Sequence, residues 1–192
     1  MQSKAQFIKA RFLPLLLTLL AGMAVPAHAQ RSYAIGISAG GAIPTGKFRK
    51  AHSKGQTVTG FIALGANELP IGLRFDGVFS TFKGRAVTPA GGGAAVQTPD
   101  LRLLGVVGNV ILTASGTTAK PYLVGGAGFF NSKVDAPDAR SRNDPGFSVG
   151  LGSTFNLGPL ASLVEARYHS ISRAPGDGGM IHFVPVTLGI MF

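Results

Sequence analysis

The sequence predicts an all-β protein, an eight-stranded antiparallel up-and-down transmembrane β-barrel preceded by a cleaved signal peptide. Three observations predict it. The chain starts with an export signal, eight later segments alternate between apolar and small or polar residues, and the connections between them alternate between long and short. Alternation with a period of two is typical of strands, because successive side chains point to opposite faces of a sheet.

The N-terminal segment has the three parts of a secretory signal peptide. Three basic residues give it a positive start, an apolar run follows over 12–25, and Ala27-His28-Ala29 is a small-x-small cleavage site. The apolar run is shorter than the ~20 residues that a membrane-spanning helix needs. We therefore expect a signal peptide over 1–29 and one barrel domain over 30–192, with an N-terminal membrane anchor as the alternative.

Composition limits the remaining possibilities. The chain has no cysteine, which excludes disulfides, a thiol nucleophile and a cysteine metal site. Glycine interrupts every apolar run after residue 30, so no later segment predicts a membrane-spanning helix. Since helices and closed barrels are the structures that can span a bilayer, a membrane-spanning form of this chain would be a barrel.

The first four predicted strands are 31–42, 56–66, 71–82 and 98–112. The first three each have one clearly apolar face, which contains Tyr33, Ile35 and Ile37, then Val58, Ile62 and Leu64, then Leu73, Phe75 and Phe79. The fourth is almost continuously apolar, which is typical of a strand buried on both faces.

The last four predicted strands are 121–132, 146–156, 161–172 and 181–192. The fifth is rich in glycine and carries aromatic residues, the sixth alternates regularly, and the seventh opposes an apolar face to a charged one. Segments of about ten to thirteen residues match the ~9–11 that a tilted membrane strand needs, whereas strands in soluble proteins are nearer ~5–6.

The connections favour a membrane barrel over a soluble two-sheet sandwich. Those at 43–55, 83–97 and 133–145 are long, those at 67–70, 113–118 and 157–159 are short, and 173–179 is intermediate. Outer-membrane barrels have short periplasmic turns and longer outer loops. With both termini in the periplasm, the long connections would all lie outside.

The last predicted strand ends on an aromatic residue, and Leu188, Ile190 and Phe192 share its apolar face. This ending resembles the C-terminal strand of bacterial outer-membrane barrels, in which the terminal Phe and alternating apolar residues form the assembly signal. Together with the leader, the eight segments and the glycine-rich stretch 122–130, it makes the chain resemble the small OmpA/OmpX-type barrels.

The resemblance implies an integral outer-membrane protein of a Gram-negative-type bacterium, with a structural, adhesive or envelope-stabilising role and no enzymatic activity. Its partners would be outer-membrane lipid, lipopolysaccharide and the barrel-assembly machinery, and it would be a monomer.

Charged residues on two predicted strands oppose an apolar face. They are Arg74, Asp76, Glu165, Arg167 and His169. A charge facing lipid is unfavourable by ~2–4 kcal/mol for Arg or Lys at the midplane, so these side chains should point into the barrel. Buried charges must be paired. We therefore expect a salt-bridge network that fills the lumen, with His169 at its edge; a catalytic carboxylate–histidine pair or a proton path is the alternative.

The end of the seventh predicted strand suggests a second possibility. The tract 167–174 is similar to the active-site tract of outer-membrane lipid A deacylases, which are also eight-stranded barrels and place a His two residues before a Ser. Here His169 and Ser172 are three residues apart, which puts them on opposite faces of a strand. A catalytic Ser–His pair needs hydrogen-bond reach, and the plain alternative is a strand leading into an outer loop.

The predicted outer loops are basic. Lys47, Arg49, Lys50 and Lys54 lie in the first of them, and Lys and Arg are suited to binding phosphate. Contact with lipopolysaccharide phosphates is the functional hypothesis, and ordinary solvated loops are the alternative.

The sequence supports no metal site, no cofactor and no nucleic-acid partner. The histidines lack ligand spacing, and export removes the chain from nucleic acid. Three function classes remain: a non-enzymatic envelope barrel with a plugged lumen, a lipid A deacylase-like hydrolase, and a narrow channel or carrier for small apolar solutes.

Overall fold

A computed structural model describes residues 33–65, 70–88, 92–116, 118–136, 140–157, 160–173 and 179–192. The elements are β1 (Tyr33–Pro44), α1 (Phe48–Ala51), β2 (His52–Leu64), β3 (Ile71–Gly84), β4 (Ala86–Val87), β5 (Val96–Gln97), β6 (Leu101–Thr113), β7 (Ala119–Val134), β8 (Arg142–Leu157), β9 (Leu160–Ile171) and β10 (Ile181–Met191). The expected signal peptide lies outside the described residues. No helix in the described ranges is long and apolar enough to cross a membrane.

Eight of the strands close into a barrel. Their order is β1-β10-β9-β8-β7-β6-β3-β2, and β2 pairs with β1 to complete the circle. All eight pairings are antiparallel. The predicted all-β, eight-stranded up-and-down barrel is therefore confirmed. The two remaining strands, β4 and β5, form a separate hairpin.

The barrel has two different ends. At the turn end lie the connections β2–β3, β6–β7 and β8–β9, together with the start of β1 and the C-terminus. At the loop end lie the connections β1–β2, β3–β6, β7–β8 and β9–β10. The helix α1 and the β4–β5 hairpin both belong to loop-end connections.

The outer wall of the barrel is apolar. Large side chains such as Leu73, Phe75, Phe129 and Leu188 are 48%, 53%, 71% and 66% exposed. Along each strand these exposed residues alternate with a second set of residues, whose side chains face the lumen. The register of apolar residues in the sequence therefore gives the outward face correctly.

Several strands extend beyond their predicted bounds at the loop end. β2 begins at His52 and β8 at Arg142, each four residues earlier than predicted, and α1 lies within the first predicted loop. These extensions are polar or charged, so the alternation that predicts a lipid-facing strand stops before the backbone pairing does. Hydrogen bonding to the neighbouring strand continues without the apolar pattern.

Part of the lumen is apolar, which explains the continuous pattern of the fourth predicted strand. In β6, Leu101, Leu103 and Val107 are buried inside, whereas Leu104 and Val106 are exposed outside. The inner residues join a cluster with side chains from several other strands and α1: Ala42, Phe48, Val78, Phe82, Phe130, Ile171, Ile181 and Phe183. Both faces of β6 are apolar because one meets this cluster and the other is the outer wall.

Candidate functional site: the lumen and the loop end

Two barrel strands carry the charged side chains that meet across the lumen. Arg74 and Asp76 lie two residues apart on β3, and Glu165 and Arg167 lie two residues apart on β9. In the closed strand order, β3 and β9 are four strands apart in either direction, so they face each other across the barrel. Alternation turns all four side chains inward, where each is less than one-tenth exposed.

The four side chains form one ion-pair network across the lumen. Arg74 Nε donates to Asp76 Oδ1 at 2.9 Å, and Arg74 Nη1 is 2.8 Å from Glu165 Oε2. Arg167 donates from Nη1 to Asp76 Oδ2 and from Nη2 to Glu165 Oε1, both at 2.7 Å. Each arginine therefore contacts both carboxylates, and the group has no net charge.

Neutral side chains complete this network. Tyr122 OH donates to Glu165 Oε2 at 2.8 Å, and Arg167 Nη1 donates to Asn109 Oδ1 at 3.2 Å. The Asn109 amide donates to the backbone carbonyl of Arg74 at 3.1 Å, and the Arg74 guanidinium lies 4.9 Å from the centroid of the Phe61 ring.

Sequence reasoning did not identify Tyr122 or Asn109 as members of the network. The sequence feature that could have identified Tyr122 is the small residue that pairs with it on the neighbouring strand. Tyr122 pairs across the strands with Gly152, and a Cβ on that glycine would collide with the phenol ring. A glycine that opposes an aromatic residue on the lumen face marks a ring lying across the neighbouring strand.

His169 lies next to the network, in an aromatic cluster towards the loop end. Its ring stacks on Phe183 with centroids 4.9 Å apart and meets the edge of Phe130 at 5.7 Å. Phe183 contacts Phe82 at 5.2 Å, which in turn contacts Phe48 of α1 at 5.1 Å. His169 Nδ1 is buried and has no hydrogen-bond partner among the described residues.

The residues of the predicted Ser–His pair are not brought together. His169 is 2% exposed inside the lumen. Ser172 is exposed beyond the end of β9, where its backbone N–H donates to the Pro145 carbonyl at 2.9 Å. No hydrogen bond joins the two residues in the described part of the chain. Nor do the described residues contain a group of three or more His, Cys, Asp or Glu that could hold a metal ion.

The basic residues of the first loop lie on and beside α1. Lys47, Arg49, Lys50 and Lys54 are exposed, whereas Phe48 is buried in the aromatic cluster and stacks on His52 at 4.5 Å. In the described ranges none of the four basic residues has an acidic partner. Other loop-end cations do: Lys83 pairs with Asp100 at 2.6 Å and Arg102 with Asp135 at 2.9 Å.

The residues of the expected assembly signal lie on the strand that closes the barrel. Leu188 and Phe192 are 66% and 40% exposed, and Ile190 pairs with Ile37 of β1. The backbone of Phe192 exchanges two hydrogen bonds with Ile35, at 2.8 and 3.1 Å. Phe192 is therefore part of the β1–β10 seam.

No protein-family model and no curated protein sequence matches the chain. Solved structures do match it. Neisserial surface protein A aligns with a TM-score of 0.61 at 16% identity, over 85% of this chain and 98% of that one. A major outer membrane protein from Thermus thermophilus aligns with a TM-score of 0.55 at 16% identity, over 84% of this chain and 99% of that one.

The attachment invasion locus protein of Yersinia pestis aligns with a TM-score of 0.50 at 17% identity, over 83% of this chain and 97% of that one. At these identities the likeness shows the fold. The strands of this chain close into a barrel, and the alignments cover almost the whole of each of these solved structures. The chain has the fold of the small eight-stranded outer-membrane β-barrels.

Proposed function

We propose that the chain is an integral outer-membrane protein with a plugged lumen and a non-enzymatic role in envelope structure and surface interaction. The observation that carries this proposal is the inversion of polarity. Large apolar side chains cover the outside of the barrel, and buried charged side chains, Arg74, Asp76, Glu165 and Arg167 among them, lie inside it. Monomeric soluble proteins rarely expose contiguous apolar patches larger than a few hundred Å², whereas a lipid-facing barrel requires such a band.

Two measurements test the location. Membranes from cells that express the full chain are separated by density, and the protein should be found in the outer-membrane fraction with 1–29 removed. Unboiled and boiled samples should then migrate differently on a gel containing detergent. Recovery in the soluble fraction, with the same migration before and after boiling, would contradict the proposal.

Two layers support the plugged lumen. The ion-pair network connects opposite walls of the barrel, and the aromatic cluster fills the space towards the loop end. An eight-stranded barrel is only wide enough for its side chains to fill it. Purified protein in a planar bilayer should show no steady conductance under conditions in which an open porin gives discrete steps. Reproducible openings of the wild-type chain would favour the channel alternative.

The loop end supports a specific surface interaction, with phosphates of lipopolysaccharide in the outer leaflet. Phe48 fixes α1 to the barrel, so its basic neighbours are held at the surface without acidic partners among the described residues. Cations that are not already neutralised are the ones available for phosphate.

A charge-matched pair of variants tests this interaction. The first changes Arg49 and Lys50 of α1 to Gln, and the control changes Lys83 and Arg102, which have acidic partners, to Gln. Both lose two positive charges from the loop end. Binding of lipopolysaccharide to barrels in detergent should weaken much more in the first variant than in the control. Equal weakening would indicate net charge rather than a site on α1.

The C-terminal strand supports a further partner, the barrel-assembly machinery. Leu188 and Phe192 present apolar side chains on the outer wall at the seam. Changing Phe192 to Ser should reduce the folded fraction in cells while purified protein still refolds in detergent. Unchanged folding in cells would remove the assembly role.

A further inference from the structure

The turn end of the barrel contains a cavity that neither the network nor the aromatic cluster fills. Its volume is about 130 Å³, and all eight barrel strands contribute residues to its lining. Its walls include the apolar side chains of Phe61, Ile111 and Leu163, and Arg74 and Tyr122 also line it. The cavity is therefore a mouth of the lumen, directly adjacent to the ion-pair network.

The ion-pair network closes the inner end of the cavity. The three guanidinium nitrogens of Arg74 are bound to Asp76 and Glu165, and the Tyr122 hydroxyl donates to Glu165. Beyond them the aromatic cluster fills the lumen towards the loop end. A molecule that enters from the turn end would meet Arg74 and Tyr122 already bound to the carboxylates of the network, so it would bind and leave by the same opening.

The apolar walls suit a small ring. A cavity of about 150 Å³ lined by Leu, Ile and Phe side chains holds benzene, and this one is only slightly smaller. Because the charges of the network sum to zero, the inner part of the cavity attracts neither cations nor anions. The buried part of a ligand should therefore be a single uncharged ring or a short branched alkyl group.

The rim of the cavity has a different character. Lys120, at the start of β7, is exposed and has no acidic partner among the described residues. Thr113, Thr118, Thr154 and Asn156 also line the cavity and add hydrogen-bonding groups. A cation with hydroxyl and amide neighbours at the opening favours an anionic end on the ligand, held in partly exposed surroundings.

We propose that the turn-end cavity is a binding site for a small amphiphilic carboxylate, with its ring between Phe61, Ile111 and Leu163 and its carboxylate at Lys120. The site holds its ligand without passing it across the barrel, since the network closes the inner end. This binding is separate from the phosphate contact at the loop end. In the proposed topology the site opens towards the periplasm.

Benzoate is the probe, and benzyl alcohol is its neutral counterpart. The full barrel in detergent micelles is labelled with ¹³C at the methionine methyl groups, so that Met191, which lines the cavity, reports on its contents. Benzoate should shift the Met191 signal in a saturable way that empty micelles do not reproduce. Ala161→Phe, which fills the cavity, should weaken binding at least tenfold. Its control, Ala39→Phe on the outer wall, should bind as wild type does.

Lys120→Gln tests the anionic half of the proposal and does not disturb the barrel interior. An exposed charge pair contributes only weakly, so benzoate should bind roughly threefold to fivefold more weakly and benzyl alcohol should be unaffected. No saturable Met191 shift, or equal benzoate binding by folded Ala161→Phe, would overturn the site. Unchanged benzoate binding by Lys120→Gln would overturn the assignment of a carboxylate ligand. Neither result would bear on lipopolysaccharide binding at the loop end.

Discussion

Replacing Arg74 with Met tests how strongly the lumen network stabilises the barrel. The substitution keeps a long unbranched side chain but removes a cation whose nitrogens contact both Asp76 and Glu165. Side chains of the network are no more than 9% exposed, so the excess negative charge has little access to water. Removing one partner of a buried ion pair costs ~3–5 kcal/mol, and we expect a loss of that size in the free energy of unfolding.

Urea unfolding of the refolded barrel in lipid vesicles, followed by the folded band on an unheated gel, measures this loss. Lys83→Met is the control, because its pair with Asp100 is exposed to solvent and such pairs contribute little to stability. Arg74→Met combined with Glu165→Gln leaves a neutral network, and its loss should be smaller than the sum of the two single losses by ~0.5–3 kcal/mol. If Arg74→Met costs no more than Lys83→Met, the network does not stabilise the fold.

Three further predictions concern other parts of the molecule. Gly152→Ala should displace the Tyr122 ring and destabilise the barrel by ~1–3 kcal/mol in the same urea assay, because a Cβ has no room there. Phe48→Ala should release α1, so that trypsin cuts the first loop faster while the barrel band remains on the gel. The hydrogen bond from Lys83, followed by that from the Gly84 N–H, lowers the pKa of Asp100 below 3.8. The hydrogen bonds to Asp100 therefore stabilise the fold above pH 3.8, and this stability is lost as pH falls through the folded pKa. NMR titration of Lys83→Gln should show the pKa of Asp100 rising towards 3.8.

The sequence predicts the outer wall of this barrel better than its loop end. The outer wall and the lumen differ so strongly in polarity that alternation marks the outward residues, as in Phe75 and Leu188. Towards the loop end that contrast weakens, because outward residues of the extended strands, such as Lys54 and Asn143, are polar or charged as well. The early start of β2 at His52 and the β4–β5 hairpin were missed for this reason: they depend on backbone pairing with neighbouring strands, which leaves no pattern in one segment read alone.

The charged members of the lumen network could be identified from the sequence, but its neutral members could not. Arg74 and Glu165 can be identified because a charged side chain on the strand face opposite an apolar one is expected to point into the lumen. Asn109 lies in an almost continuous apolar run, and Tyr122 lies in a glycine-rich one. Their role depends on which side chains reach across the lumen, which is set by the register and stagger of several strands together.

The opposition of β3 and β9 makes the order of charges along each strand as important as their number. Arg74 faces Glu165, and Asp76 faces Arg167 one layer further towards the loop end. Exchanging the β9 pair, as Glu165→Arg with Arg167→Glu, keeps composition and net charge but sets like charges against each other in both layers.

That exchange should destabilise the barrel by at least the ~3–5 kcal/mol expected for breaking a buried pair. Adding the matching exchange on β3, as Arg74→Asp with Asp76→Arg, restores opposite charges in each layer and should recover a large part of the loss in urea unfolding. A network held together only by its charge sum would tolerate the first exchange, and the second would then bring no recovery. If the first exchange destabilises the barrel and the variant with all four substitutions regains stability, then opposite charges within each layer stabilise the network.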